Sequence, residues 1–227
     1  MERHVGFETD VIPTSHGELA ITFLGHGSLL LENQDKVIYV DPYSRVADYT
    51  RLPHADLILI THEHGDHLDP AALSQVRTED TTVIMPPVCL AQIPDGLVMR
   101  NGDTQQIFDI QIEAVPAYNV VHKRETGAPF HPPGVGNGYV LGFGDTRVYV
   151  AGDTEDIPEM RSLQDIDVAF LPMNLPYTMT PEMVANAARA FSPRILYPYH
   201  YGRTDPNELV TLLKDRPDIE VRIRDLA

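Results

Sequence analysis

Three histidines and an aspartate fall within six positions of this chain, His62, His64, Asp66 and His67, in the stretch "THEHGDHLDP". Imidazole and carboxylate are the ligands that suit zinc, iron and manganese. The spacing has a physical reading. His62 and His64 are two apart, so in an extended segment their side chains leave from the same side and can grip one ion. Gly65 permits a turn, after which Asp66 and His67 can face a second ion nearby. Four ligands do not complete two sites, so further ligands are expected downstream. Asp153 in "VYVAGDT" and His200 in "LYPYHYG" are the candidates. Taken alone, Asp153 reads as a turn aspartate and His200 as a satisfied core histidine. Each, however, directly follows an apolar β-run, as the first cluster does, and this shared placement at strand ends makes them candidate ligands.

The elements that must carry these residues are short strands and a few helices. "ADLILIT" holds four consecutive apolar residues, Leu57 to Ile60, which reads as a strand buried on both faces. A buried strand is a rigid platform that delivers His62 and its neighbours to a cleft at the sheet ends. "DPAALSQVR" has an early proline followed by helix formers, and "TTVIMP" reads as the next strand, closing a β-helix-β unit. Before the cluster, "ELAITFL", "LLLE" and "KVIYVDP" read as strands around the turns "GHGS" and "NQD". In the middle, "QQIFDIQIEAVPA" reads as β, and "YVLGF" and "RVYVA" flank "GDT" as a hairpin. "DVAFLP" and "RILYPYH" are strands. "TPEMVANAARAF" is a helix with Thr180 as N-cap, Pro181 in its first turn, and Met183, Ala187, Ala190 and Phe191 on one face. "DPNELVTLLKD" and "IEVRI" give a last helix and strand. The segment from Tyr118 to Asn137 is long for a loop, and loops of that length tend to be functional or disordered. The expected architecture is two sheets packed face to face with helices outside, in one domain spanning 1–227, with no internal sequence repeat.

The order of these motifs resembles the metallo-β-lactamase fold superfamily from "GHGSLLLE" to "HYG", nearly the whole chain. Within it, "AYN", "FHPPG", "YVAGDT", "DVAFLP" and "YTMT" look like the metal-dependent hydrolase branch near the L-ascorbate-6-phosphate lactonase-like proteins. The resemblance implies an α/β four-layer αββα sandwich of two mixed β-sheets with a dinuclear site at one edge. It also implies that Asp153 bridges the ions, with His62 and His64 on the first and Asp66, His67 and His200 on the second. Asp41 in "YVDP" matches an early strand-end aspartate that orients ligating imidazoles. One departure stands out. The superfamily offers a third histidine to the first ion after a mid-chain strand, and here Asn119 occupies the simplest alignment. His131 in "FHPPG" is the preferred substitute, because the branch shows "HP" with a following glycine. His122 and Asn119 are the alternatives.

The chemistry expected is hydrolysis by a hydroxide held between two divalent transition-metal ions, zinc first, with manganese or iron as alternatives. Asp66, His26 or a water would assist the leaving group. His26, in the turn "GHGS", is otherwise a substrate or orienting residue. Tyr177 and Thr180 are candidate pocket residues. Cys89 reads as a small buried hydrophobe, and His4, His16 and His54 as surface residues. The substrate expected is a small, anionic metabolite with a lactone or ester bond, and Lys123, Arg124 and Arg203 are candidates to recognise its charge. The alternatives are a phosphodiesterase or phospholipase of the same fold, or a di-iron oxygen or redox protein.

Composition narrows the partners. The chain has 227 residues and a formal net charge of -16, with lysine only at positions 36, 123 and 214. Acidic residues are spread along the whole length. Such a surface repels a phosphate backbone, which needs clustered Lys and Arg to release counterions, so nucleic acid is not expected as a partner. No run of eighteen apolar residues exists, and neither a signal peptide nor membrane insertion is expected. A single cysteine excludes an intrachain disulfide and fits a cytoplasmic setting. A homo-oligomer stays open.

Overall fold

The structure, a computed structural model, describes residues 4–227. Two seven-stranded sheets face each other. The first runs, in chain order across the sheet, β1 (Thr9–Thr14), β2 (Gly17–Gly25), β3 (Ser28–Asn33), β4 (Lys36–Val40), β5 (Leu57–Leu59), β6 (Thr82–Met85) and β7 (Leu97–Val98). The second runs β8 (Thr104–Ile107), β9 (Ile110–Ala117), β10 (Gly136–Phe143), β11 (Thr146–Val150), β12 (Val168–Pro172), β13 (Ile195–Tyr199) and β14 (Glu220–Val221). In the first sheet three antiparallel pairings precede three parallel ones. The second repeats that pattern. The halves share a topology that their sequences do not advertise.

Side-chain alternation along the strands fixes the layers. Leu29, Leu31, Ile38, Val40, Leu57 and Leu59 turn toward the second sheet, while Leu30, Tyr39, Ile58 and Ile60 belong to a separate cluster on the other face. There α1 (Pro70–Val76), between β5 and β6, supplies Ala72, Leu73 and Val76. Between the sheets, the Phe23 ring of β2 lies 5.1 Å from Tyr197 and 6.4 Å from Phe170. Two further helices, α2 (Pro181–Phe191) and α3 (Asn207–Leu212), flank β13 in sequence. Here α2 buries Val184, Ala187, Ala188 and Phe191, whose ring meets Tyr149 of β11. The result is the αββα sandwich with mixed sheets. Burial of each such Leu, Ile or Phe stabilises the fold by roughly 1.5–3 kcal/mol.

The helix starts follow local chemistry. Asp69 accepts the Ala71 N–H and Pro70 opens α1. Thr180 accepts the Met183 N–H and Pro181 opens α2, so Thr180 serves as a cap. Four local details correct or add to the expectations. Ala190 is exposed, because the buried stripe of α2 runs through Val184, Ala187, Ala188 and Phe191, with Met183 half-buried. The stretch "QQIFDIQIEAVPA" is two strands, β8 and β9, folded back at Phe108 and Asp109 with Ile107 opposite Ile110. The left-handed φ of 54° at Phe108 makes that turn. Strand β1 arises from "TDVIPT", whose Pro13 hides the β-signal and is tolerated because β1 is an edge strand. "IEVRI" keeps only two residues in β14. Among the described residues, no helix is long and apolar enough to cross a membrane.

Candidate metal centre

The parallel half of each sheet ends along one edge, and the loops there carry the chemistry. Crevices outside the carboxyl ends of parallel strands are where α/β sheets place ligand sites. After β5, the chain runs through Ile60 and Thr61 to His62. It then makes a turn in which the N–H groups of His67 and Leu68 donate to the His64 carbonyl. Asp153 follows β11, His200 follows β13 and His26 follows β2. Three of these edge residues, His26, Asp41 and His200, hold left-handed φ values of 54°, 45° and 45°. Such backbone costs free energy for residues with a Cβ and clusters at functional sites.

Two groups of donors result. In one, His62, His64 and His131 have ring nitrogens within 4.8 Å of one another, and in the other His26, Asp66, His67 and His200 do so with a carboxylate oxygen. Asp153 lies between them. Its Oδ2 is 3.3 Å from His131 Nε2 and 3.9 Å from His62 Nε2. Its Oδ1 is 3.5 Å from His67 Nε2 and 3.7 Å from His200 Nε2. Asp66 Oδ2 is 3.6 Å from His200 Nε2 and 3.0 Å from His26 Nε2. Gly27 backs the second group, for a Cβ there would come within 3.1 Å of His67 Cε1.

Below this layer, a hydrogen-bond network sets the tautomers. Asp41, fully buried directly after β4, accepts the Thr61 N–H on Oδ1, and the Thr61 hydroxyl donates to Oδ2. His67 Nδ1 lies 2.8 Å from the same Oδ2, and a carboxylate only accepts, so Nδ1 carries the hydrogen. Thr61 Oγ1, its own hydrogen spent on Asp41, accepts from His62 Nδ1 at 3.0 Å. Asn119 Oδ1 receives both the His131 N–H and His131 Nδ1. With Nδ1 so engaged in all three imidazoles, Nε2 is the atom each can offer to an ion; that of His62 also lies 3.0 Å from His64 Nδ1. The Asn174 amide lies 3.2 Å from His200 Nδ1.

The electrostatics match this arrangement. Burial and the neighbouring His67 hold His62 well below the ordinary imidazole range, in the neutral form that ligates. Burial pushes His67 down, but Asp153 and Asp41 outweigh it and raise it to about 9, so without an ion this ring carries a second proton, which a bound cation would replace. Burial raises the Asp153 carboxyl, yet His200 and His67 hold it well below the usual range, and His200 and His26 do the same for Asp66 against its own burial. This is a buried anionic pocket that favours cations. Its fit to metal ions is visible in three atoms: His67 Nε2, His200 Nε2 and Asp153 Oδ1 are buried with no hydrogen-bond partner. Orphaned buried polar atoms are rare in folded proteins, and three around one point is the pattern a divalent ion would satisfy.

Comparison with known proteins agrees with this geometry. The Beta-lactamase superfamily domain matches residues 20–200. The chain belongs to the metallo-β-lactamase superfamily. It is 31% identical over 201 residues to a metal-dependent hydrolase of Methanopyrus kandleri, covering 84% of this chain and 87% of that one. To another from Thermococcus kodakarensis it is 31% identical over 219 residues, covering 88% and 95%. A crystal structure of a candidate metal-dependent hydrolase from Parabacteroides distasonis superposes with a TM-score of 0.93 at 54% identity, covering 97% and 100%. A metallo hydrolase of Ignicoccus hospitalis shares the fold at a TM-score of 0.73 and 22% identity, covering 92% and 96%. Like its relatives, this superfamily member is a metal-dependent hydrolase.

The three candidates for the third ligand of the first group sit in different surroundings. His131 stands with His62 and His64, Asn119 holds His131, and His122 faces away with Nδ1 2.6 Å from Glu155 Oε1. Glu155 is the residue that sequence reasoning missed. Its buried carboxylate accepts the consecutive N–H groups of Val120, Val121 and His122 and the Asn119 amide. It thereby pins the long 118–135 loop that presents His131. Its one signal was its position two residues after Asp153. Thr61 and Asn174 were also missed, for their roles appear only once strands are paired.

Proposed function

We propose that the centre holds two divalent transition-metal ions. His62, His64 and His131 ligate one, Asp66, His67 and His200 the other, and Asp153 lies between them. The reaction is hydrolysis of an ester or lactone bond in a small, anionic metabolite. The observation that carries this reading is Asp153, whose two oxygens face different donor groups and whose Oδ1 is orphaned together with two imidazole nitrogens. Ions bound there supply a water-derived nucleophile at neutral pH, by lowering its pKa toward about 7, and positive charge for the developing oxyanion. The chain does the rest. Asp41 keeps His67, and through Thr61 also His62, in the ligating tautomer. Asn119 does so for His131. His26, 3.0 Å from Asp66 in the second group, is the residue we assign to pass a proton to the leaving oxygen. Zinc suits this donor set best, with manganese or iron as rivals.

For the anionic substrate the support is Arg124 and Arg203, both exposed, the first beside the cleft through Phe130 and the second three residues after His200. The likeness to lactonase-like proteins in "FHPPG" and "YTMT" supports the lactone. The buried single cysteine, Cys89, supports a cytosolic location. Purification with zinc, manganese or iron, followed by a panel of lactones, carboxylic esters, phosphodiesters and thioesters, tests the reading. Turnover of lactones or esters is expected. Turnover of phosphodiesters alone would replace the substrate class, and oxygen consumption by an iron-loaded protein without hydrolysis would replace the reaction.

A further inference from the structure

The mouth of the centre is more apolar than an acidic protein requires. Four of the eleven large apolar side chains exposed among the described residues sit on two loops beside it: Val120 and Val121 on one, Leu175 and Tyr177 on the other. The loops are tied together, since Asn119 Nδ2 donates to the Tyr177 carbonyl at 2.8 Å. Where they meet, the Phe130 ring packs edge-on against Tyr177 at 5.0 Å between centroids. Phe130 also lines a narrow cleft whose wall includes His62, His64, His131 and Asp153. Arg124 braces the ring, with its guanidinium 5.1 Å from the Phe130 centroid and a hydrogen bond to the Phe130 carbonyl. Single exposed apolar residues are ordinary on protein surfaces, but a paired aromatic face at the wall of a functional cleft marks a place that something covers. The free space among those residues is about 10 Å³, room for a single water, so a substrate meets the donor groups from outside and the rest of it lies over the mouth, where Phe130 and Tyr177 stand.

We propose that the substrate carries a short aliphatic or aryl arm that lies on Phe130 and Tyr177 while its scissile bond faces Asp153. This deepens the hydrolytic reading above and rests on it. The anionic part of the substrate then lies on the other side of the bond or beside Arg124, and the aromatic pair selects for the arm. Phe130 and Tyr177 determine specificity and touch no reacting atom. A simple polar lactone without an arm leaves their faces bare.

The test uses metal-replete protein and a series of alkyl hydroxamic acids, from acetohydroxamic to octanohydroxamic acid, with affinities read by calorimetry and no turnover required. Affinity should rise about threefold per added methylene over the first few carbons, as burial of each group predicts. In Phe130→Ala and in Tyr177→Ala the ratio of octanohydroxamate to acetohydroxamate affinity should collapse by about tenfold or more, and Tyr177→Leu should recover part of it. Phe108→Ala, an exposed aromatic outside these loops, should leave the ratio as it was. Metal content and melting temperature, measured alongside, keep a misfolded variant from passing as a result. A ratio that is flat in the natural protein, or equal in all variants, or no hydroxamate binding at any length, overturns the proposal. Chain-length-dependent binding with no hydrolysis of butyrate or hexanoate esters leaves the apolar arm in place and removes the hydrolytic reading instead.

Discussion

The fourth strand of each sheet ends in an aspartate, and the two aspartates do different work. Asp41 comes immediately after β4, and Asp153 comes three residues after β11, past Ala151 and Gly152. The offset decides the outcome. Asp41 stays below the edge, fully buried, with its carboxylate occupied by Thr61 and His67. At Gly152 φ is +66° and a Cβ would come within 2.7 Å of the Asn137 carbonyl, so only glycine makes this turn, which carries Asp153 out among the imidazoles. There Oδ1 has no partner. Two halves with one topology thus supply one carboxylate that orients ligands and one that meets the ion. The same holds for the next parallel strands. The loop after β5 brings His62, His64, Asp66 and His67, while its counterpart after β12 brings no histidine or carboxylate to the donor groups and meets His200 through the Asn174 amide.

The sharpest way to break this comparison is to neutralise each aspartate. Asp153→Asn should lower kcat about 10³-fold or more in a protein that still folds, since the loss is of ion-held charge. If Asp153→Asn keeps near-natural turnover, the assignment between the halves is reversed. Next is the loop that completes the first group. His131→Ala should weaken one metal equilibrium by about 100-fold, while His122→Ala should change it by less than about threefold, read by chelator competition. Equal, negligible effects from both would move the third donor to Asn119 or to water. Asp41→Asn comes third. It should weaken metal binding by about tenfold, because His67 and His62 lose the partner that fixes their tautomers. It should also destabilise the apoprotein by about 1–3 kcal/mol, through the Thr61 groups it leaves unpaired.

Sequence reasoning reached His62, His64, Asp66 and His67 because they are contiguous and chemically loaded. It reached Asp153 and His200 because each ends an apolar strand, and placing them beside the first cluster needed only the order of elements. Of the network underneath, Asp41 was anticipated through the resemblance to the superfamily, and its His67 contact is there, but its other links were not legible. Nothing in "THEH" says that Thr61 bonds Asp41, because that contact is made by the parallel pairing of β4 with β5. Glu155 was hidden for a similar reason. Its partners, the N–H groups of Val120, Val121 and His122, lie more than thirty residues earlier in a loop without periodicity. Strands β1 and β7 were missed because one contains a proline and the other is two residues long. The shared topology of the halves leaves no sequence trace, since strand pairing depends on alternation of apolar residues and not on their identity.

A third carboxylate sharpens the contrast with the smallest expected effect. Asp10 of β1 joins the two sheets away from the donor groups, where it accepts from the Tyr197 hydroxyl and from the Arg222 and Arg224 guanidiniums. Burial pushes this carboxyl up, but Tyr197 and Arg224 more than offset it and hold it below the usual range. A depressed folded pKa contributes stability that is present above the unfolded value, near 3.9, and is lost as pH falls through the folded one. Asp10→Asn should therefore cost about 1–2 kcal/mol at pH 7, and the gap to the natural protein should narrow as pH drops below about 4. A gap that is constant with pH would mean that the Asp10 charge is not what holds these sheets together. Unlike Asp153, Asp10 is satisfied by the protein alone, so its loss should not change metal content.

Metal content is where the central claim is most exposed. Elemental analysis of the natural protein and of Asp153→Ala, both loaded with zinc and freed of excess, measures it directly. The account predicts close to two ions per chain in the first and loss of most of both in the second, because one side chain faces both donor groups. Two ions retained by Asp153→Ala, or a natural protein that never binds more than one, would contradict it.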